Sequence, residues 1–251
     1  MTQLAPKLVE ATSGEEGNLA SDRITLRDLA QAHGVQFILA TFVDLNGKPC
    51  AKLVPTSAAD ELEAGALGFA GFAAGLIGQE QHDPDLIAIP DLDSFTPLPF
   101  VRELGEGAAV FHFREGLALV HCDPYVNGEP WPYAPRNILK RAIAELATRG
   151  MAAKVGAEVE YFLVDRAEDG KLSPADKRDN GPRPCYDARG VTRMYDHLAS
   201  VSTAINSLGW GNYANDHEDG AGQFEQNFDY ADALTTADRV ITLRYILNVL
   251  A

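Results

Sequence analysis

The fold is decided by the stretch Lys154-Val155-Gly156-Ala157-Glu158-Val159-Glu160-Tyr161-Phe162-Leu163-Val164-Asp165. Its valines and aromatic residues, bounded by glycine and aspartate, are typical of a β-strand. Because side chains alternate between the two faces of a strand, Glu158 and Glu160 lie beside each other on one face. Two carboxylates at this spacing resist ionising together away from water unless a cation lies between them. The pair therefore predicts a Mg²⁺ or Mn²⁺ site, and a solvated strand face without chemistry is the alternative.

A second acidic cluster follows at Asn215-Asp216-His217-Glu218-Asp219-Gly220-Ala221-Gly222-Gln223-Phe224-Glu225. It resembles the metal-ligand segment of the glutamine synthetase family, in which His-Glu leads through a turn of small residues to Gln-x-Glu. The earlier strand resembles that family's Gly-x-Glu-x-Glu-(Phe/Tyr)-Phe segment, and the two segments stand in the family's order. Upstream, the run Arg183-Pro184-Cys185-Tyr186-Asp187 is similar to one branch, that of the type III glutamate–ammonia ligases and γ-glutamylmethylamide synthetases.

The resemblance implies two cation sites. Glu160, Glu218 and Glu225 would form the first, which helps to hold the substrate carboxylate and the incoming amine. Glu158 would belong to the second, whose remaining ligands come from later in the family's sequence. An acidic hairpin turn in solvent is the alternative for this cluster.

The resemblance also bears on the amine and the nucleotide. Many ammonia-using members carry an aspartate in a Phe-Asp-Gly context, where this chain reads Phe69-Ala70-Gly71. Asp85 matches a second acidic position of the same loop and is expected to act in catalysis, and Tyr230 is expected near the nucleotide. The missing carboxylate would leave a roomier, less anionic amine entrance, so we expect methylamine as an acceptor at least as much as ammonia.

The function implied is an ATP-dependent ligation. ATP would phosphorylate the γ-carboxylate of glutamate, and methylamine or ammonia would attack the acyl phosphate while divalent ions neutralise the phosphoryl group. A non-catalytic scaffold of the same family, which binds metal or a partner, is the alternative. Glu158 and Glu160 are too close together for the two carboxyl groups of a glycosidase. The chain has no P-loop and no GxGxxG before a helix, so ATP binding of the Walker or Rossmann type is excluded.

Composition limits the classes of protein. The net charge of the 251 residues is −15, with 21 basic residues against 36 acidic ones, which argues against a nucleic-acid partner. No run of 18 apolar residues and no signal-peptide pattern is present, so a cytoplasmic protein without a membrane partner is predicted. The three cysteines fit neither a disulfide framework nor a CxxC metal site.

The predicted fold class is α+β, in three parts. Residues 1–22 form a loose leader, residues 23–130 an N-terminal domain that the resemblance implies to be a β-grasp, and residues 131–251 an incomplete front portion of a catalytic domain. Family members are nearly twice as long and assemble into stacked rings, so this chain is expected to be a fragment that is inactive alone, and a truncated relative that cannot catalyse is the alternative. Its C-terminal helix supports this expectation, because the apolar face of that helix is predicted to need partners outside the sequence.

Local patterns predict the elements. A capping box at Thr25 opens a short helix, and Asp44-Leu45-Asn46-Gly47 turns a hairpin. Arg136 is interpreted as structural. His217 directly precedes Glu218 and is interpreted either as a residue that supports this ligand or, the more common case for a lone histidine in a polar turn, as an exposed residue. The remaining elements are strands at 83–91, 107–113, 117–122, 210–214 and 222–228, helices at 57–63, 135–150, 191–208 and 235–250, a glycine-rich loop at 68–75 and an exposed excursion at 165–184.

Overall fold

The computed structural model describes residues 23–98 and 116–251, and in these residues the fold is a mixture of helices and sheets. The predicted leader at 1–22 and the predicted strand at 107–113 lie outside the described residues. In the part that is described, no helix combines the length and the apolar character that a bilayer span requires.

The N-terminal half is built around one sheet. Its strands are β1 to β7, and its helices are α1 to α3, with these bounds: α1 Leu26–Ala32, β1 Phe37–Val43, β2 Pro49–Pro55, α2 Ala59–Glu63, β3 Gly68–Phe69, α3 Gly71–Ala74, β4 Leu86–Pro90, β5 Thr96–Pro97, β6 Leu117–Val126 and β7 Glu129–Pro130. The main strand order is β2-β1-β6-β4-β3, in which only the β1–β6 pair is parallel among the described strands. The predicted capping box at Thr25 and the predicted hairpin are both confirmed.

The C-terminal half places a second sheet under two helices. Its elements are α4 Pro135–Ala147, β8 Lys154–Val155, β9 Glu158–Phe162, β10 Val164–Arg166, β11 Leu172–Pro174, α5 Ala188–Arg193, α6 Tyr195–Ser207, β12 Asn212–His217, β13 Gln223–Phe228, β14 Ala231–Asp232 and α7 Ala233–Leu250. The antiparallel order β12-β13-β9 forms the sheet. Phe228, Trp210 and residues of β9 pack against α6 and α7 in a shared apolar core.

The structure corrects the prediction for the C-terminal helix. Leu243, Ile246 and Leu247 of α7 are buried, and they pack against Val201 and Ile205 of α6 within this chain. These three residues of the apolar face therefore have their partners within the described residues. The prediction was wrong because periodicity in a helix shows that a face needs partners but cannot show where they come from.

Three further predictions of local structure were also wrong in part. The stretch 154–165 is three short strands rather than one, because β8, β9 and β10 pair with β14, β13 and β11 respectively. The helix at 191–208 begins earlier and is interrupted at Met194. The glycine-rich segment contains β3 and α3, and Gly71 leaves room there for the Gln79 side chain, because a Cβ at this position would lie 1.5 Å from Gln79 Oε1.

One buried arginine joins the two halves of the chain. Arg136 in α4 donates to Asp238 of α7 at 3.0 and 2.9 Å, to Asp91 at 2.9 Å and to Asp123 of β6. The Arg136 side chain is 6% exposed. Burial opposes its charge, but the surrounding aspartates raise the pKa of Arg136. Lys140, also in α4, pairs with the same Asp91 and Asp123. Through these ion pairs α4 connects the first sheet to α7, the helix that covers the second sheet.

Replacing this arginine should destabilise the whole chain. Arg136→Ala would leave three carboxylates around an empty site, and breaking a buried ion pair from one side costs about 3–5 kcal/mol of unfolding free energy. The measurement is urea unfolding followed by circular dichroism. Arg149→Ala removes an exposed pair with Glu145 and should change the unfolding free energy by less than about 0.5 kcal/mol. Equal effects of the two substitutions would contradict the proposed importance of Arg136.

Candidate metal centre

Three carboxylates, two from neighbouring strands and one from the turn between β12 and β13, converge at one end of the second sheet. Glu160 in β9 and Glu225 in β13 are cross-strand partners, and Glu218 follows directly after β12. One carboxylate oxygen of each of the three residues lies within 4.8 Å of the others. Side chains of directly opposed residues on antiparallel strands are held about 4.5–5.5 Å apart at Cβ, so strand register itself forces this approach.

The turn between β12 and β13 supports the cluster. The Glu218 N–H donates to the Gln223 carbonyl oxygen at 2.9 Å, which closes the turn over Gly220. The Gln223 side chain donates through Nε2 to Glu160 Oε2 at 2.6 Å and accepts from the Gly220 N–H at 2.8 Å. One glutamine therefore connects the turn to the neighbouring strand and orients the Glu160 carboxylate.

The cluster is electrostatically unfavourable without a counter-charge. Burial, together with hydrogen bonding to Glu218, raises the pKa of Glu225 to about 7. Burial and Glu218 also raise the pKa of Asp216, which is the partner of Glu225 on β12. Across residues 23–98 and 116–251, none of the three glutamates forms a salt bridge. A divalent cation would supply the charge that the protein does not.

The donor set suits a hard cation. The three converging groups are all carboxylates, and oxygen ligands are those preferred by Mg²⁺ and Mn²⁺. Cys185 approaches Glu218 Oε2 at 3.9 Å, but desolvation and the adjacent carboxylates raise the pKa of its thiol. The thiol therefore stays protonated and is a poor metal ligand at neutral pH.

The other sequence-predicted residues lie outside this group. Glu158 is exposed on the same face of β9, opposite Asn227 of β13. Asp85 is exposed just before β4 and approaches Gly68, and Tyr230 follows β13 with 69% of its surface exposed. None of these three belongs to the group of converging carboxylates.

Two residues lie behind the turn. His217 is fully buried, which contradicts the interpretation as an exposed residue and agrees with the alternative that it supports Glu218, and its Nε2 lies 2.8 Å from Asp179 Oδ2. Asp179 itself is 7% exposed, although it belongs to the segment that was predicted to be an exposed excursion. The position of His217 directly before Glu218 was a usable signal for the histidine. Nothing in the sequence around Asp179 distinguishes it from the exposed aspartates nearby.

The C-terminal half of the chain is similar to a known catalytic domain. The family model described as "Glutamine synthetase, catalytic domain" matches residues 132–251. A glutamine synthetase of Rhizobium meliloti is 36% identical over 228 residues, which are 91% of this chain and 48% of the relative. A glutamate–methylamine ligase of Methyloversatilis universalis is 35% identical over 205 residues, covering 81% of this chain and 43% of the relative.

Solved structures show the same likeness. The structure described as "GmaS/ADP complex-Conformation 1" superposes with a TM-score of 0.79 at 37% identity, covering 90% of this chain and 48% of that one. The chain thus spans about half the length of these relatives and of this solved structure.

The raised pKa of Glu225 predicts a pH dependence of stability in the absence of divalent ions. A glutamate in the unfolded chain has a pKa of about 4.3. Between that value and about 7 the folded chain holds a proton that the unfolded chain has released. The contribution of Glu225 to the unfolding free energy is therefore fully present below the pKa that it has in the unfolded chain. It is lost as the pH rises through the pKa that it has in the folded chain.

Glu225→Gln removes this titration while keeping the side-chain shape. The unfolding free energy of the variant minus that of the unaltered chain should therefore grow from about pH 5 to about pH 8. Urea unfolding in EDTA measures the difference at each pH. Glu168→Gln, at an exposed position, should show a difference that does not change with pH. A constant difference for Glu225→Gln would contradict the raised pKa.

Proposed function

We propose that this chain, whose residues 132–251 match the catalytic domain of glutamine synthetase, is part of an ATP-dependent glutamate–amine ligase. The protein would form a γ-glutamyl amide from glutamate, ATP and either methylamine or ammonia. The observation that carries the proposal is the convergence of Glu160, Glu218 and Glu225 on one sheet face within a matched catalytic-domain segment.

The chemical problem explains why such a site is needed. A carboxylate is a poor electrophile, so an amine displaces its oxygen only after the γ-carboxylate has been converted into an acyl phosphate by ATP. A bound Mg²⁺ or Mn²⁺ supplies positive charge that favours the approach of anionic reactants. The chain's own part is to hold the carboxylates of Glu160, Glu218 and Glu225 in fixed positions, with Gln223 orienting Glu160.

The assignments for the remaining site residues belong to the same proposal. Glu158 would serve the second cation, because it lies exposed on the same strand face as Glu160. Asp85 would act at the amine entrance and Tyr230 near the nucleotide, and the exposure of both side chains leaves them accessible to substrates. One of the similar solved structures is described as an ADP complex, which is in keeping with ATP as the phosphoryl donor here.

The finer architecture is also proposed here. We assign residues 23–130 to a β-grasp domain and residues 131–251 to the front of the catalytic domain. The parallel β1–β6 pair within an otherwise antiparallel sheet, together with α1 and α2 packed on its buried residues, supports the first assignment. The family resemblance supports assembly of the full-length protein into stacked rings. A cytoplasmic location stays a prediction.

The candidate site should bind Mn²⁺ through all three glutamates. Glu160→Gln, Glu218→Gln and Glu225→Gln should each weaken Mn²⁺ binding by about tenfold or more, because each removes a charged oxygen ligand. Electron paramagnetic resonance of free Mn²⁺ in titrations of the 251-residue chain gives the affinity. Glu168→Gln removes the same charge at an exposed position outside the cluster and should bind Mn²⁺ like the unaltered chain. Equal affinity in all four variants would overturn the metal assignment.

The choice of amine should depend on position 70. Ala70 is exposed, so Ala70→Asp can restore the carboxylate of the Phe-Asp-Gly context without disturbing the core. In the full-length protein this variant should lower the kcat/KM ratio of methylamine over ammonia by about tenfold, the discrimination expected for one carbon unit. ADP release with each amine is the assay.

Ala70→Asn is the matched control, because it has nearly the same shape without the charge. A smaller change in this variant would assign the preference to charge, and an equal change would assign it to size. A strong preference of the unaltered protein for ammonia would defeat the methylamine version of the proposal.

A further inference from the structure

We propose that Asp179 is a positioning residue for the cation site, because it ties together both ends of the turn that carries Glu218. Asp179 Oδ2 lies 2.8 Å from His217 Nε2 and accepts a second hydrogen bond from the Gly222 N–H. His217 stands directly before Glu218, and Gly222 stands directly before β13, which carries Glu225. The inference rests on the proposed function, since Asp179 can position a site only if these glutamates bind a cation together.

His217, which contacts Asp179 on one side, also contacts the backbone of Glu218. His217 Nδ1 lies 2.8 Å from the Glu218 carbonyl oxygen, and because a carbonyl oxygen only accepts, Nδ1 is the donor. The opposite ring nitrogen faces the Asp179 carboxylate, which also only accepts, so both contacts are hydrogen bonds when both ring nitrogens carry a proton. One imidazole therefore spans the distance between Asp179 and the peptide unit of Glu218, and it does so in a fully buried position where such hydrogen bonds are strong.

Packing leaves the ring no alternative position. Gly190 of α5 lies against one side, where a Cβ would be 2.5 Å from the His217 ring, so only glycine fits. The Phe224 ring lies against it edge-on with 4.8 Å between ring centroids. The Tyr186 N–H donates to the His217 carbonyl oxygen at 2.8 Å. The contact with Asp179 then sets the orientation of a ring that is already confined.

The second contact of Asp179 fixes the other end of the turn against β9. Gly222 has a φ of +77°, and its carbonyl oxygen accepts from the Leu163 N–H at 2.8 Å, one residue beyond the strand that carries Glu160. A Cβ at Gly222 would lie 2.8 Å from the Leu163 carbonyl oxygen. Asp179 and Leu163 thus hold Gly222 from two sides, which sets the separation of Glu218, Glu225 and Glu160.

Asp176 offers a matched comparison in the same segment. Its carboxylate is 8% exposed, similar to Asp179, but it pairs with Arg193 and with the Arg178 N–H instead of contacting the turn. A substitution there disturbs the same segment without touching His217 or Gly222. It therefore separates the anchoring of the segment from the positioning of the cation ligands.

The test compares Mn²⁺ affinity in the 251-residue chain, measured by electron paramagnetic resonance at a temperature where circular dichroism shows each variant folded. Asp179→Ala removes Oδ2, the atom that receives both contacts, and should weaken Mn²⁺ binding by about tenfold or more, the usual effect of losing a residue that orients metal ligands. An asparagine would not serve here, because its amide oxygen can take the position of Oδ2 and keep both contacts. Asp176→Ala should bind Mn²⁺ like the unaltered chain.

A second measurement uses the unaltered chain and does not depend on a variant folding. Coupling between two sites is reciprocal, so if Asp179 positions the cation ligands, cation binding must stabilise its contact with Gly222. Saturating Mg²⁺ should slow hydrogen exchange in the segment 218–224, and should leave exchange in the β10–β11 hairpin unchanged.

The outcomes separate this inference from the proposed function. Mn²⁺ binding that is equally strong in Asp179→Ala and the unaltered chain overturns the inference and leaves the ligase proposal intact. An equal loss in Asp176→Ala and Asp179→Ala overturns it too, because disturbing the segment at any point would then explain the loss. Unchanged exchange of the segment 218–224 in saturating Mg²⁺ contradicts it as well. If the unaltered chain binds no Mn²⁺, the proposed cation site and this inference both fail.

Discussion

Repulsion among three carboxylates is the constraint on which the second half of the chain depends. The register of β9 and β13 places Glu160 opposite Glu225, and the turn after β12 adds Glu218 to the same place. Burial, hydrogen bonding to Glu218 and the neighbouring carboxylates raise the pKa of Glu225 to about 7, so protonation relieves the conflict without a cation. A protein built only for stability would not assemble these charges, so their convergence is evidence that a ligand completes the site.

The opposite face of the same sheet supplies the stability that the carboxylate face lacks. Phe228 and Trp210 join the buried residues of α6 and α7 in an apolar core, so the strands cannot slip to relieve the repulsion. A slip by one residue would exchange the two faces and bury the glutamates under α7. Arg136 extends this rigidity to the first sheet, because its aspartate partners come from both halves of the chain. The site is therefore held by packing and ion pairs that lie outside it.

Much of the local structure was predictable because it depends on neighbours in the sequence. The capping box at Thr25 and the turn at Asn46-Gly47 use contacts within a few residues, and both are present in the structure. The helix α4 begins at residue 135, as the sequence predicted, with a proline in its first turn. The predictions failed where distant partners decide. The glycine-rich segment was predicted as a loop, but Gly71 lies in a short helix beside the Gln79 side chain. The predicted strand at 154–165 is divided because three different strands pair with its parts.

The same division holds for the site. The sequence by itself determined the chemistry of the ligands and the face on which Glu158 and Glu160 lie, since alternation along a strand needs no knowledge of its partners. The family resemblance already grouped Glu160 with Glu218 and Glu225, but alternation along the strand does not choose between Glu158 and Glu160. The register of β9 on β13 makes that choice, and only the tertiary structure shows that Asp179 is buried behind the turn. Both outcomes depend on strand register and on the path of a segment nearly forty residues away from the turn in sequence. Those are set by packing between distant parts of the chain, and no local pattern encodes them.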